Sequence, residues 1–337
     1  MVIIVAILEG ENMVSQERIK NYKDWFENLS FFSYNSFVLD EIEKLWNLLN
    51  YIYTNYSEVL KRIEFEKNDI SYVGLEENIS MVQQFFDKHN INVSIKELIE
   101  SGKFIFKKRD EFFSKEPAGY SYYDQEKNKK IEILLENKII DGCVIIHEIM
   151  HYLNQPEIER NFVSDLLAES ISYGTEFIYV EELKQSSYNN EANKFMKVAA
   201  SAICKLMDKT YYIYKLILLY KKEKDISLEA YNKVFKDNDY ERMLEVFEQY
   251  ANEKKFIIRD TWNVLGYPIA IYILETYKKD NDFIKILMEY NKAINEKSYQ
   301  ECLDIIGLNI DTEFVDKIKL STNSFLESLS SQKVKKL

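Results

Sequence analysis

Apolar residues recur at intervals of three and four along most of this chain, the spacing that lines one face of an α-helix. The pattern is plainest from Ser36 to Phe65, where Val38, Ile42, Leu45, Leu49, Ile52 and Tyr56 follow one another. Shorter stretches of the same kind predict helices over Ser15 to Phe26, Leu75 to Lys88 and Ser94 to Ser101. One segment breaks the rhythm. Pro117 and Gly119 mark a turn ahead of the aromatic run Tyr120-Ser121-Tyr122-Tyr123, and a polar stretch then separates it from the apolar run Ile131 to Leu135. Two such runs predict a β-hairpin. Helical periodicity resumes over Asn161 to Glu182 and, from residue 190, in successive amphipathic helices to about Ser328. The fold class is mainly α, with a small hairpin or sheet. An N-terminal helical lobe over 1–103 precedes a region over 104–337, and with only 3 Pro and 8 Gly no linker parts them.

The helix that follows the hairpin contains His147-Glu148-Ile149-Met150-His151. Asp141 suits its N-cap or first turn, and Pro156 should end it near Asn154. The motif uses two of the chain's 3 histidines at positions i and i+4, one turn apart on the same face, so both can reach a single Zn²⁺. Cys143-Val144-Ile145-Ile146 before the motif and Ile149-Met150 within it are almost all apolar, so this helix should be mostly buried. Two buried imidazoles need partners for their polar nitrogens, and a metal supplies one. Glu148 points roughly 100° around the helix from His147. It should face an activated water rather than coordinate, accepting the water proton and later passing it to a leaving amine.

A hydrolytic zinc site takes three protein ligands and leaves a fourth position open. With no other His nearby, the third donor should be a carboxylate. Glu169 is the leading candidate, on a helix that can turn back against the first. Glu157 and Glu159 in the connection, and the shorter Asp165, rank behind it because rigid elements hold ligands better. Asp165 or Glu176 could orient the second nitrogens of the imidazoles, or simply form a solvated helix face. The ligand types favour one zinc ion, although two His and a Glu also accept manganese or cobalt. A hairpin strand with an open edge could pair with an extended peptide, and Lys130 to Glu136 is the strand nominated for that.

A net charge of −12 argues against a nucleic-acid partner and leaves a peptide or small protein as the expected substrate. Cys143, Cys204 and Cys302 are far apart and form no CxxC pair, which points to a reducing, cytoplasmic setting. The apolar run Val2 to Leu8 is too short to cross a bilayer and reads as a buried strand or first helical turn, so no membrane association is expected.

The residues from Gly119 to Glu176 resemble the oligoendopeptidase F and thimet oligopeptidase family, zinc peptidases of the gluzincin class. The likeness lies in AGYS (118 to 121), ILLEN (133 to 137), Asp141, the HEIMH motif and AESISYGTE (168 to 176). It implies a helical, zincin-like body around a deep channel with a small sheet beside the site, and endopeptidase action on oligopeptides. By the same match Glu169 is the third zinc ligand and Glu176 a supporting acid. The chain and its interval from His151 to Glu169 are shorter than that family's. The family's C-terminal His and Tyr-rich segment, which stabilises the oxyanion, has its nearest analogue in RDTWNVLGYPIAIY (259 to 272), where Tyr267 or Arg259 could donate. The reduced length would also suit an enzyme dedicated to processing one protein partner. A non-catalytic helical binding module with a structural zinc is the remaining alternative, and Glu148 argues against it, because a structural site needs no base.

Overall fold

A computed structural model describes residues 50, 53, 54, 72–108, 118–154, 162–251, 254–309 and 314–331. The run at 2–8, the helix expected over 15–26 and nearly all of the one expected over 36–65 lie outside the described residues, as do Glu157 and Glu159 and the side chain of Arg259.

The described chain is mainly helical with one small sheet, as the apolar periodicity predicts. Helix α1 (Leu75–Lys88) carries Glu76 and Glu77 in its first turn and Lys88 in its last, charges that complement the helix dipole. Helix α2 (Ile95–Glu100) starts where the Ser94 side chain accepts the N–H of Glu97. Three strands follow, β1 (Phe104–Lys108), β2 (Gly119–Tyr123) and β3 (Lys129–Leu135), in the sheet order β1-β3-β2. The expected hairpin is present, with β2 antiparallel to β3 and Gly119 opposite Ile133. Its turn is fixed by Asp124, whose carboxylate accepts the N–H groups of Glu126 and Asn128.

One expectation fails here. The run nominated as an open edge, Lys130 to Glu136, forms the central strand, because β1 pairs with its other side in parallel register, Phe104 opposite Ile131. Among the described residues, no strand lies beyond β2.

Helix α3 (Ile140–Asn154) carries the HEIMH motif and α4 (Phe162–Leu183) follows it; both agree with the boundaries read from the sequence. Asp141 lies in the first turn of α3, where its carboxylate accepts the N–H groups of Glu136 and Lys138 and ties the end of β3 to the helix. Ile145, Ile146, Ile149 and Met150 are fully enclosed, so α3 is apolar around most of its girth and packs against α1, β2, β3 and α4. Each such side chain contributes about 1.5–3 kcal/mol through removal from water. The remaining helices are α5 (Asn189–Glu223), α6 (Leu228–Val234), α7 (Tyr240–Ala251), α8 (Lys254–Tyr277), α9 (Phe283–Ala293), α10 (Tyr299–Ile305) and α11 (Phe314–Ser331).

The chain divides into two compact units, one of Met1–Ser57 with Lys205–Thr261 and one of Glu58–Cys204 with Trp262–Leu337. The boundary expected at 103/104 falls inside the second unit, because α1 packs on α3 and α2 on β1. No helix among the described residues is long and apolar enough to cross a membrane.

Candidate active site

The packing of α3 against α4 brings together residues far apart in sequence. His147 and His151 rise from one face of α3, with their Nε2 atoms 3.1 Å apart. Glu169 on α4 faces both, with Oε2 3.5 Å from His147 Nε2 and Oε1 3.5 Å from His151 Nε2. On the far side of His147, Nδ1 lies 3.2 Å from Glu176 Oε2. With the Nδ1 proton donated to Glu176, Nε2 of His147 keeps a bare lone pair directed at the other two donors.

A tetrahedral zinc with bonds of about 2.0–2.1 Å holds its ligand atoms roughly 3.3 Å apart. The two imidazole nitrogens are 3.1 Å apart and each Glu169 oxygen lies 3.5 Å from one of them, and His147, His151 and Glu169, with one ligand atom from each within 4.8 Å of the others, are the group that could hold a metal ion among the described residues. Two imidazoles and a carboxylate are also a donor set that zinc accepts. Asp165 stands one turn before Glu169 on α4, half-buried, and is not among the converging donors.

A close helix crossing holds Glu169 in place. Gly266 of α8 lies against α4, where a Cβ would come within 3.2 Å of the Ser170 nitrogen, 3.3 Å of the Leu166 oxygen and 3.4 Å of the Glu169 Cβ. A side chain there would have to push the two helices apart by a few tenths of an ångström.

Burial works against every charge in the cluster, and the neighbours decide the outcome. It opposes the charged forms of Glu169 and His147. The two imidazoles nevertheless hold Glu169 well below the usual carboxylate range, and hydrogen bonds donated to Glu169 and Glu176 hold His147 well above its ordinary value. For Glu148 burial prevails and its pKa is raised, although His147 and His151 pull the other way. Glu148 is 6% exposed and is not one of the converging donors, in accord with its expected position around the helix.

Glu148 meets β2 directly. The Ser121 hydroxyl lies 2.8 Å from the Glu148 carbonyl oxygen and 3.1 Å from its Oε2. A Cβ on Gly119 would come within 2.8 Å of the Glu148 Cγ. The sequence reading includes both residues in the AGYS resemblance without giving either a contact, because the pairing of strand with helix has no local signature.

Tyr267 packs at a tilt against Tyr173 and edge-on to Phe177, with ring centroids 5.3 and 4.9 Å away, and Tyr173 in turn sits edge-on to His147 at 4.7 Å. Its hydroxyl is buried and has no hydrogen-bond partner among the described residues. Burial first, and then the Glu176 carboxylate, push its pKa well up, so it stays a protonated donor.

Similarity to solved structures runs through most of the chain. A chain from Bacillus anthracis str. Ames assigned as oligoendopeptidase F superposes on 89% of this chain with a TM-score of 0.59 at 13% identity. PZ peptidase A, solved with an inhibitor, gives 88%, 0.59 and 13%. A chain from Chlamydophila abortus assigned as a peptidase gives 87%, 0.54 and 14%. This protein shares their fold. It spans 57%, 59% and 54% of those chains' own lengths. No protein-family model matches the sequence, and no curated protein matches it by sequence.

Proposed function

We propose that this protein is a zinc-dependent peptidase that cleaves oligopeptides as an endopeptidase, with His147, His151 and Glu169 holding one Zn²⁺ and Glu148 acting as general base. The observation that carries this reading is the convergence of three half-buried donor groups whose ligand atoms lie within 4.8 Å of one another, beside a carboxylate that is not one of them. The shared fold with helical peptidases supports it. When bound, zinc supplies Lewis-acid polarisation of the scissile carbonyl and lowers the pKa of water.

The chain's own residues account for the rest. Glu148, its pKa raised by burial, suits taking a proton from the attacking water and delivering it to the leaving amine. Glu176 fixes the ring orientation and tautomer of His147. An extended peptide can add to the sheet beyond β2, main chain to main chain, which selects unstructured oligopeptides or exposed protein loops. Tyr267 offers a hydroxyl donor beside Glu176.

The test is incubation of the zinc-loaded protein with a mixed peptide library, compared with Glu148→Gln by mass spectrometry of the products. Cleavage by the native chain that disappears in the variant is the expected result. Stoichiometric zinc with no cleavage by the native chain would replace oligopeptide hydrolysis with a dedicated protein substrate or a structural metal.

A further inference from the structure

We infer that Ser121 is a positioning residue that holds the general base in register with a bound peptide. The inference rests on the reading of Glu148 as that base, and its geometry comes from the two sides of β2.

In an antiparallel pair, residues alternate between those bonded to the partner strand and those whose backbone groups point away from it. Leu134 N–H donates to the Ala118 carbonyl and Asp124 N–H to the Asn128 carbonyl, which sets the even-numbered residues of β2 as the bonded set. The main-chain N–H and C=O of Gly119 and Ser121 therefore point away from β3, toward the side where an added strand would lie. The Ser121 side chain meanwhile reaches α3, 2.8 Å from the Glu148 carbonyl and 3.1 Å from its Oε2. One residue thus presents its backbone to a docked peptide and its hydroxyl to the base.

The hydroxyl suits both states of the base. It carries one proton and two lone pairs. While Glu148 is ionised, the hydroxyl donates to the carboxylate. Once Glu148 has accepted the water proton, its Oε2–H can donate to the Ser121 oxygen while the hydroxyl proton turns to the Glu148 carbonyl. Gly119, on the same face of β2, complements this by leaving room for the Glu148 stem, since a Cβ there would lie 2.8 Å from Cγ. A glutamate turns about three side-chain bonds, and a general base must hold within hydrogen-bond reach of its proton.

Steady-state kinetics on Ser121→Ala, Ser121→Thr and native protein, all zinc-loaded, test this. With Ala, kcat should fall about 10- to 100-fold, the scale of a misplaced reacting group. KM should stay within about twofold, because the main-chain pairing survives. Thr should restore kcat. An Ala variant with kcat within about twofold of native overturns the inference, as does a rise in KM at constant kcat. Should Ala not fold, as judged by its melting curve, Ser121→Cys keeps the volume with a weak donor and must lose kcat as well. Crystal structures of Ser121→Ala and native protein give a readout independent of activity. A new Glu148 rotamer in the variant upholds the inference, and an unmoved carboxylate overturns it. Failure of the native protein to cut any peptide would refute the oligopeptidase reading, and those structures alone would then decide the role of Ser121.

Discussion

Lys215 on α5 is a buried ionisable side chain and His147 on α3 a half-buried one, and the two are met by different kinds of partner. Lys215 is 0% exposed, and its ammonium donates to Asp237 at 2.7 Å and Asp239 at 3.2 Å. The rings of Tyr211, Tyr231 and Phe235 lie 5.0–5.5 Å from it and offer their negative faces. Tyr231 also donates its hydroxyl to Asp237. Around His147 the inventory is different: a second imidazole and the carboxylates of Glu169 and Glu176 surround it, and among the described residues no Lys or Arg forms an ion pair with either of those acids. A buried charge that is matched in place stabilises a fold. A set of imidazoles and carboxylates turned on one another is what the proposed cation would meet.

Removing a ligand should separate the two regions most sharply. Glu169→Ala should lose stoichiometric zinc on dialysis, measured by elemental analysis, whereas Glu148→Gln should retain it. The Lys215 cluster should respond in stability instead. Asp237→Asn with Asp239→Asn strands a buried ammonium and should cost about 3–5 kcal/mol in denaturant unfolding while zinc content is unchanged. Next in size, Glu176→Ala removes the acceptor that orients His147 and should weaken zinc binding about 10- to 100-fold in a chelator competition.

The two regions also differ toward pH. Metal-free His147 holds its proton to higher pH than an ordinary histidine, because Glu169 and Glu176 outweigh burial. A proton and a metal compete for that nitrogen, so zinc affinity should rise with pH, by about tenfold per unit for one proton displaced, and level off above the raised pKa. Calorimetry in buffers of different ionisation enthalpy should detect the released proton. The smallest effect is expected for Lys215→Met. The side chains of Asp237 and Asp239 are 44% and 39% exposed, so they can hydrate once the ammonium is gone, and the loss should be about 1 kcal/mol or less.

How much of this was legible beforehand follows from the range of each interaction. The HEIMH face and the extents of α3 and α4 depend on helical period and local caps, which the sequence writes out residue by residue. Glu169 emerges by elimination and by resemblance to a known family, since no local rule joins it to His147. Strand β1 escapes because its partner lies across an intervening stretch of chain, and parallel pairing leaves no turn signal between the two. That omission turned β3 from a central strand into a supposed edge. Lys215 also escapes, because a lysine in an amphipathic helix reads as a solvated position until Asp237, Asp239 and the three rings close over it. Ser121 is a polar residue in a tyrosine-rich run, and only the approach of α3 gives its hydroxyl a purpose.

The crossing at Gly266 also bears on how the donors of this site are spaced. A methyl group there would press mainly on the Ser170 nitrogen and the Leu166 oxygen, which belong to the backbone of α4 and could yield only by moving the helix a few tenths of an ångström. Glu169 would move with it. In the proposed metal site, the distance of Glu169 from the two imidazoles therefore depends in part on how closely a helix that contributes no donor packs against α4.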